Sequence, residues 1–194
     1  NPEKGLWARE PRMGLARDAE SRTAVTGQLY STVHVRPKQG VRLALEVGGV
    51  PPDWHDRVPG VLPLGGEGRL ARVLLEEKPA WPAMPALQPV NGRIRFLAVL
   101  ITPGTYPDMA RVVAAGPPGL PGRCISACTG RVVQAGGWDS RAKRSRPMEP
   151  LIPVGSTWFY EAAASDLSAV QALHGENFGD PYGFGQILIG SWEE

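Results

Sequence analysis

Apolar and polar residues alternate most clearly in four stretches of the chain, and each predicts a strand with one buried face. Residues 28–36 (QLYSTVHVR) set Leu29, Val33 and Val35 among polar neighbours. Residues 41–47 (VRLALEV) point Val41, Leu43, Leu45 and Val47 one way, so the two segments are expected to form a hairpin around residues 37–40. Residues 69–75 (RLARVLL) read as a strand entered through a glycine cluster, and residues 93–101 (RIRFLAVLI) as a core strand. Residues 123–134 contain a further strand, with 131–134 its better half. Residues 155–161 (GSTWFYE) are aromatic and β-prone, and residues 187–189 (ILI) form a buried closing strand.

Helical spacing occurs twice. Residues 107–115 predict a short helix stopped by Gly116, Pro117 and Pro118. A second helix starts from Ser165 or Asp166 as N-cap, carries Leu167, Val170 and Leu173 on one face, and ends at Gly175. Residues 49–63 are a Pro/Gly loop, and the prolines of residues 79–89 exclude a helix there. Many strands with few helices and no internal repeat make this a mainly antiparallel α+β chain with long glycine- and proline-rich loops.

The 194 residues, 24 of them Gly and 20 Pro, suit one large domain or two small ones. No apolar run approaches the roughly 18 residues of a membrane span, and the start is not the basic-then-apolar start of a secretory leader. A cytoplasmic location is expected. The first residue is Asn1 rather than Met, read as processing or as a start inside a longer polypeptide. Cys124 and Cys128 are too few for a disulfide framework, and on one strand they stand about 13 Å apart, too far to bridge. His34, His55 and His174 lack the spacing of a metal site, so no metal is expected. Neither a phosphate-binding P-loop, nor a dinucleotide fingerprint, nor a serine nucleophile elbow occurs.

Charge changes the picture once it is placed along the chain. The first 150 residues hold all 21 bases against 13 acids, a net of +8, whereas residues 151–194 hold six acids and no base. Of the bases, 17 are Arg and 4 are Lys, and Arg is the better residue for bidentate phosphate contacts and for stacking on bases. A GC-rich genome gives the same arginine bias without function, but the asymmetry points toward a polyanion.

Three glycine clusters carry the candidate chemistry. Gly65, Gly66 and Gly68 lead to Arg69, where close backbone approach and a guanidinium suit a phosphate; taken alone, the cluster is better explained by a tight turn needing positive φ. In the second, Trp138 stands beside Arg141, Lys143, Arg144 and Arg146, a pattern suited to single-stranded nucleic acid with the aromatic stacked on a base. The indole is expected to fold into the core and the bases to face the ligand. In the third, Gly183 and Gly185 alternate with aromatics before the closing strand, where backbone N–H groups would cradle a ribose-phosphate or glycine would permit close packing. His34 points opposite to Val33 and Val35, as a ribonuclease base or as an ordinary surface histidine.

In order along the chain, residues 10–15 (EPRMGL), 21–24 (SRTA), 27–30 (GQLY), 64–69 (LGGEGR), 137–139 (GWD), 153–156 (PVGS) and 183–185 (GFG) resemble the Cmr-complex subunit three family, of the RAMP superfamily of type III-B CRISPR effectors. The resemblance implies ferredoxin-like (RRM-like) modules, with residues 1–40 continuing from an N-terminal module that precedes them and residues 41–194 forming the C-terminal module. It implies a non-catalytic subunit without metal or nucleotide cofactor. Such a subunit binds the 5′ handle of the guide RNA (crRNA) and docks the large palm-domain subunit and the backbone RAMP subunits in antiviral defence. Arg12, Arg22, Arg36 and Arg69, with the Arg141–Arg146 segment, are the expected RNA contacts. One departure is that residues 176–182, before the terminal glycine loop, contain no base where the superfamily usually carries one. The alternatives are an endoribonuclease of the same superfamily that processes repeat RNA, with His34 or His174 as base, and a protein-only assembly module.

Overall fold

The computed structural model describes residues 5–65, 68–76, 82–139, 141–177 and 182–192. The chain divides into two compact units, Asn1–Pro79 and Ala80–Glu194.

The first unit is built from two-stranded ribbons. Strands β1 (Trp7–Arg17) and β2 (Ala24–Pro37) pair antiparallel, with Glu10 opposite His34, Arg12 opposite Thr32 and Gly14 opposite Tyr30. A short 3-10 turn (Trp54–Arg57) precedes β3 (Val61–Pro63), which pairs with β4 (Leu70–Arg72). None of the described residues of this unit is buried. Three expectations are corrected in this unit. Residues 41–47 form no strand and expose Leu43 and Leu45, because β2 takes β1 as its partner and the unit offers no core against which an alternating segment gains by burial. Residues 49–63, expected as loop throughout, supply β3, while the strand expected over 69–75 shortens to three residues.

The second unit holds the core. Strand β5 (Arg93–Leu100) is followed by helix α1 (Met109–Ala115), then β6 (Arg123–Cys128), a hairpin of β7 (Val133–Asp139) and β8 (Arg144–Leu151), β9 (Thr157–Ala163), helix α2 (Leu167–Ala172) and β10 (Ile187–Ser191). Four of these strands form one sheet in the order β10-β5-β9-β6, with every neighbouring pair antiparallel. The mainly antiparallel α+β expectation therefore holds. Strict alternation in β5 buries Ile94, Phe96, Ala98 and Leu100, and β9 answers with Trp158, Tyr160 and Ala162 on the same face. Val112 of α1 and Val170 of α2 close over them.

Polar ends of these aromatics are satisfied by the helix terminus. Phe96 and Tyr160 stack with centroids 5.2 Å apart, and Trp158 Nε1 donates to the Val113 carbonyl at 3.3 Å. The Tyr160 hydroxyl donates to the carbonyl of Ala115, and burial raises its pKa. Gly116 makes this possible: its φ is +82°, and a Cβ there would sit 2.0 Å from the Tyr160 hydroxyl. Asp108 caps α1 by accepting from the Arg111 N–H at 2.9 Å. In α2 the expected face is present and Gly175 adopts φ +86°, but Asp166 makes no side-chain cap bond and a 3-10 turn over Ala164–Asp166 leads in.

The segment 123–134 is also corrected. Its first half is the sheet strand β6, and Val133 opens a separate hairpin, so the half with the better alternation lies outside the four-stranded sheet. β6 is an edge strand with a bulge at residue 125, which turns Ile125 outward and blurs the period-two signal. Cys124 and Cys128 on this strand are both free thiols.

Candidate nucleic-acid interface

Cross-strand register sorts the β1–β2 ribbon into two chemically different faces. Even-numbered positions bring Glu10, Arg12, Gly14, Tyr30, Thr32, His34 and Arg36 to one side. Glu10 sits between two guanidiniums: Arg12 donates to its Oε1 through Nε at 2.7 Å, and Arg36 Nε donates to its Oε2 at 2.5 Å. The side-chain hydrogen bonds from Arg12 and then Arg36 hold the Glu10 carboxyl below the usual glutamate range. A depressed carboxyl stabilises the fold above its unfolded pKa and loses that contribution as pH falls through the folded value, so this pairing is complete at neutral pH.

Gly14 and Tyr30 explain why two of the motif stretches belong together. They face each other directly, and a Cβ on residue 14 would lie 2.3 Å from the Tyr30 ring, so only glycine lets the ring cross β1 at this height. Arg12, Met13, Gly14, Tyr30, Thr32 and His34 then line a cleft of about 150 Å³ together with Arg69. His34 Nε2 lies 2.9 Å from Thr32 Oγ1 and 3.5 Å from Arg69 Nη2. Arg69 Nε is buried and has no hydrogen-bond partner, and no carboxylate lines the cleft among the described residues. An unpartnered buried guanidinium N–H costs about 1–3 kcal/mol or more, a cost removed by any anion that accepts from it.

The glycine cluster places Arg69 there. Gly65 and Gly68 take φ of +82° and +63° in the turn between β3 and β4, which the Leu64 N–H closes on the Arg69 carbonyl at 3.0 Å. Gly66 lies outside the described residues. Arg12, Arg36 and Arg69 thus share one face, whereas Arg22 sits in the turn between β1 and β2 at φ +57°, its carbonyl accepting from the Arg17 guanidinium. Tyr30, Thr32 and Gly14 were not expected as site residues; the signal that finds them is the pairing of residues 10–15 with 27–34, which periodicity alone does not give.

In the second unit, Arg141, Lys143, Arg144 and Arg146 occupy the tip and one strand of the β7–β8 hairpin. Asp139 Oδ1 organises the tip by accepting from the N–H groups of Arg141 and Ala142 at 2.9 and 2.8 Å, and Lys143 takes φ +49°. Trp138 is 62% exposed, contrary to the expected core position, because a two-stranded ribbon has no second layer to receive the indole. It pairs with Ser145, and by the strand's alternation it points away from the face that carries Arg144 and Arg146. The terminal glycine loop is tied to its own sheet. The Gly183 carbonyl accepts from Thr102 Oγ1 at 2.7 Å, and the Gly185 N–H donates to the Pro103 carbonyl at 2.8 Å. His174 Nδ1 accepts from the Ile189 N–H at 3.1 Å.

No group of three or more potential metal ligands occurs among the described residues, and none of their helices is long and apolar enough to cross a membrane. No curated protein matches the chain. Solved structures that share its fold include two cryo-EM structures of the type III-B Cmr-beta complex. One, bound to cognate target RNA and AMPPnP, contains a chain matched with a TM-score of 0.56 at 15% identity, over 98% of this chain and 61% of that one. The other, bound to cognate target RNA, gives a TM-score of 0.51 at 16% identity, over 89% of this chain and 49% of that one. The chain therefore spans about half to three-fifths of the length of these relatives. The family model of CRISPR-associated protein (Cas_Cmr3) matches residues 1–192, so the chain belongs to that family, the one its motifs resemble.

Proposed function

We propose that this chain is a non-catalytic, guide-RNA-binding part of a cytoplasmic type III-B Cmr effector complex. In this reading it holds the 5′ handle of the crRNA and docks the large palm-domain subunit and the backbone RAMP subunits. The observation that carries it is the cleft beneath Arg69: a buried guanidinium N–H with no partner, flanked by Arg12 and lined by no described carboxylate. That environment suits a phosphodiester. Tyr30 supplies an aromatic wall beside it, as single-stranded RNA recognition uses. Arg36 extends the same face, Arg22 adds charge at the turn, and Arg141, Lys143, Arg144 and Arg146 supply a second set of phosphate contacts, while Trp138, on the opposite face of that hairpin from Arg144 and Arg146, offers a separate stacking surface. The base-free stretch from Leu151 onward is the part suited to face protein. The strand order β10-β5-β9-β6, with helices after β5 and β9, supports the finer reading of the second unit as a ferredoxin-like (RRM-like) module.

The test is a titration of the assembled complex with guide RNA carrying the native handle or a scrambled one, at two salt concentrations. A clear handle preference with a steep salt dependence is expected. Equal affinity for both RNAs removes the handle-binding role, and no dependence on this chain favours the protein-only reading. The same samples on a denaturing gel test the endoribonuclease alternative. The RNA is expected to remain intact, and cleavage lost in His34→Ala would overturn the non-catalytic reading.

A further inference from the structure

The reverse face of the β1–β2 ribbon is as apolar as the front is charged. Odd-numbered pairs set Leu15 opposite Leu29, Met13 opposite Ser31, Pro11 opposite Val33 and Arg9 opposite Val35. Trp7, Met13, Leu15, Leu29, Val33 and Val35 are all exposed, Met13 at 71% and Val33 at 63%. Together they make one side of the ribbon an exposed apolar patch, the kind of surface that marks a protein interaction site. A two-stranded ribbon is marginal by itself in water, and this one lies in a unit with no buried residue among those described. Covering this face gives the ribbon the core that its own unit lacks.

Chemistry selects the occupant. Aliphatic side chains offer a polyanion neither donors nor a stacking surface, so RNA gains nothing here beyond Arg9 and Trp7. A second copy of the chain fits poorly, because no acid stands on this face between residues 7–15 and 29–37. A symmetric pairing would bury two Arg9 guanidiniums without a counter-charge, which is costly. We propose that this face docks on an apolar surface of a different protein chain, a neighbouring subunit that presents a carboxylate toward Arg9. The ribbon is then held between protein on its odd face and RNA on its even face. This assignment rests on the proposed role in an RNA-bound complex, yet the two faces can be tested apart.

The experiment installs the photo-cross-linking residue p-benzoylphenylalanine at position 33 of the full chain within the assembled, RNA-loaded complex. Irradiation is expected to give an adduct between this chain and another protein subunit, with the attachment mapping to an apolar peptide of that subunit. An adduct with RNA, one between two copies of this chain, one within the chain itself, or none in the intact complex overturns the proposal. As a second measurement, Val33→Glu is expected to reduce retention of that subunit at least tenfold, and Arg9→Glu to reduce it as well. Unchanged retention in Val33→Glu contradicts the docking face. If Val33→Glu releases the subunit while the arginines of the even face prove indifferent to RNA, docking stands and the RNA reading falls; the converse result separates them equally well.

Discussion

Replacing Trp158 with alanine is expected to lower the stability of the second unit by about 3–5 kcal/mol, as large aromatic-to-alanine changes in packed cores do. The indole is fully buried on β9, the strand that joins β5 to β6, and it faces the small residues Ala98 and Ala127 across its two neighbours. Those alanines leave room that only the indole fills, so the truncated side chain leaves a cavity that the sheet cannot close by collapse. The Val113 carbonyl also loses its Nε1 donor. For a unit of this size the loss corresponds to a fall in melting temperature of about 10–20 °C, readable by near-ultraviolet circular dichroism. Trp138→Ala is the matched control, because its indole is exposed and its removal is expected to cost under about 0.5 kcal/mol. Equal melting of the two variants would mean that the four-stranded sheet is not the cooperative core.

The second large effect is on RNA. Arg12→Ala combined with Arg69→Ala is expected to weaken guide-RNA binding by the assembled complex roughly 10- to 100-fold, since in the proposed role each removes a charge-assisted contact to phosphate. The dependence of log affinity on log salt should become shallower by about 1.4, because each phosphate contact to a single strand contributes about 0.7. Arg69→Lys is expected to recover only part of the loss: lysine restores the charge but not the forked geometry that fits the cleft and aims Nε inward. Arg22→Ala, in the turn beyond the cleft, should produce a smaller change. An unaltered salt dependence in the double variant would show that these arginines meet no phosphate.

Much of the second unit was legible because its local pattern and its burial agree. β5 alternates in sequence and is buried on the alternating positions; β9 and β10 follow the same rule, and α1 carries both a capping Asp108 and a stopping Gly116. Where alternation has no core to serve, it misled. Residues 41–47 have the cleaner period-two pattern, yet β2 pairs with β1, whose single proline, Pro11, and arginine-rich sequence give little strand signal. Val33 and Val35 follow the pattern but lie exposed, so the pattern marked a sheet face without saying what covers it.

The candidate site was legible residue by residue but not as an arrangement. Arg12, Arg36 and Arg69 stood out by charge and motif, and the structure gathers them on one face. What composition could not show is that Gly14 exists to admit Tyr30, or that His34 and Thr32 pack beside Arg69, since both facts depend on the register between two strands separated by a turn. Trp138 departs from the rule that an indole is mostly buried, because that rule presumes a second layer of structure over its strand.

The most direct measurement is photo-cross-linking of the assembled complex loaded with guide RNA carrying 4-thiouridine through its 5′ handle, with the attached peptides identified by mass spectrometry. Attachment is expected within residues 12–36 and around Arg69, with Tyr30 a principal site, and those adducts are expected to disappear in the Arg12→Ala, Arg69→Ala double variant. Handle adducts that fall wholly on other subunits, with none on this chain, would contradict the handle-binding role.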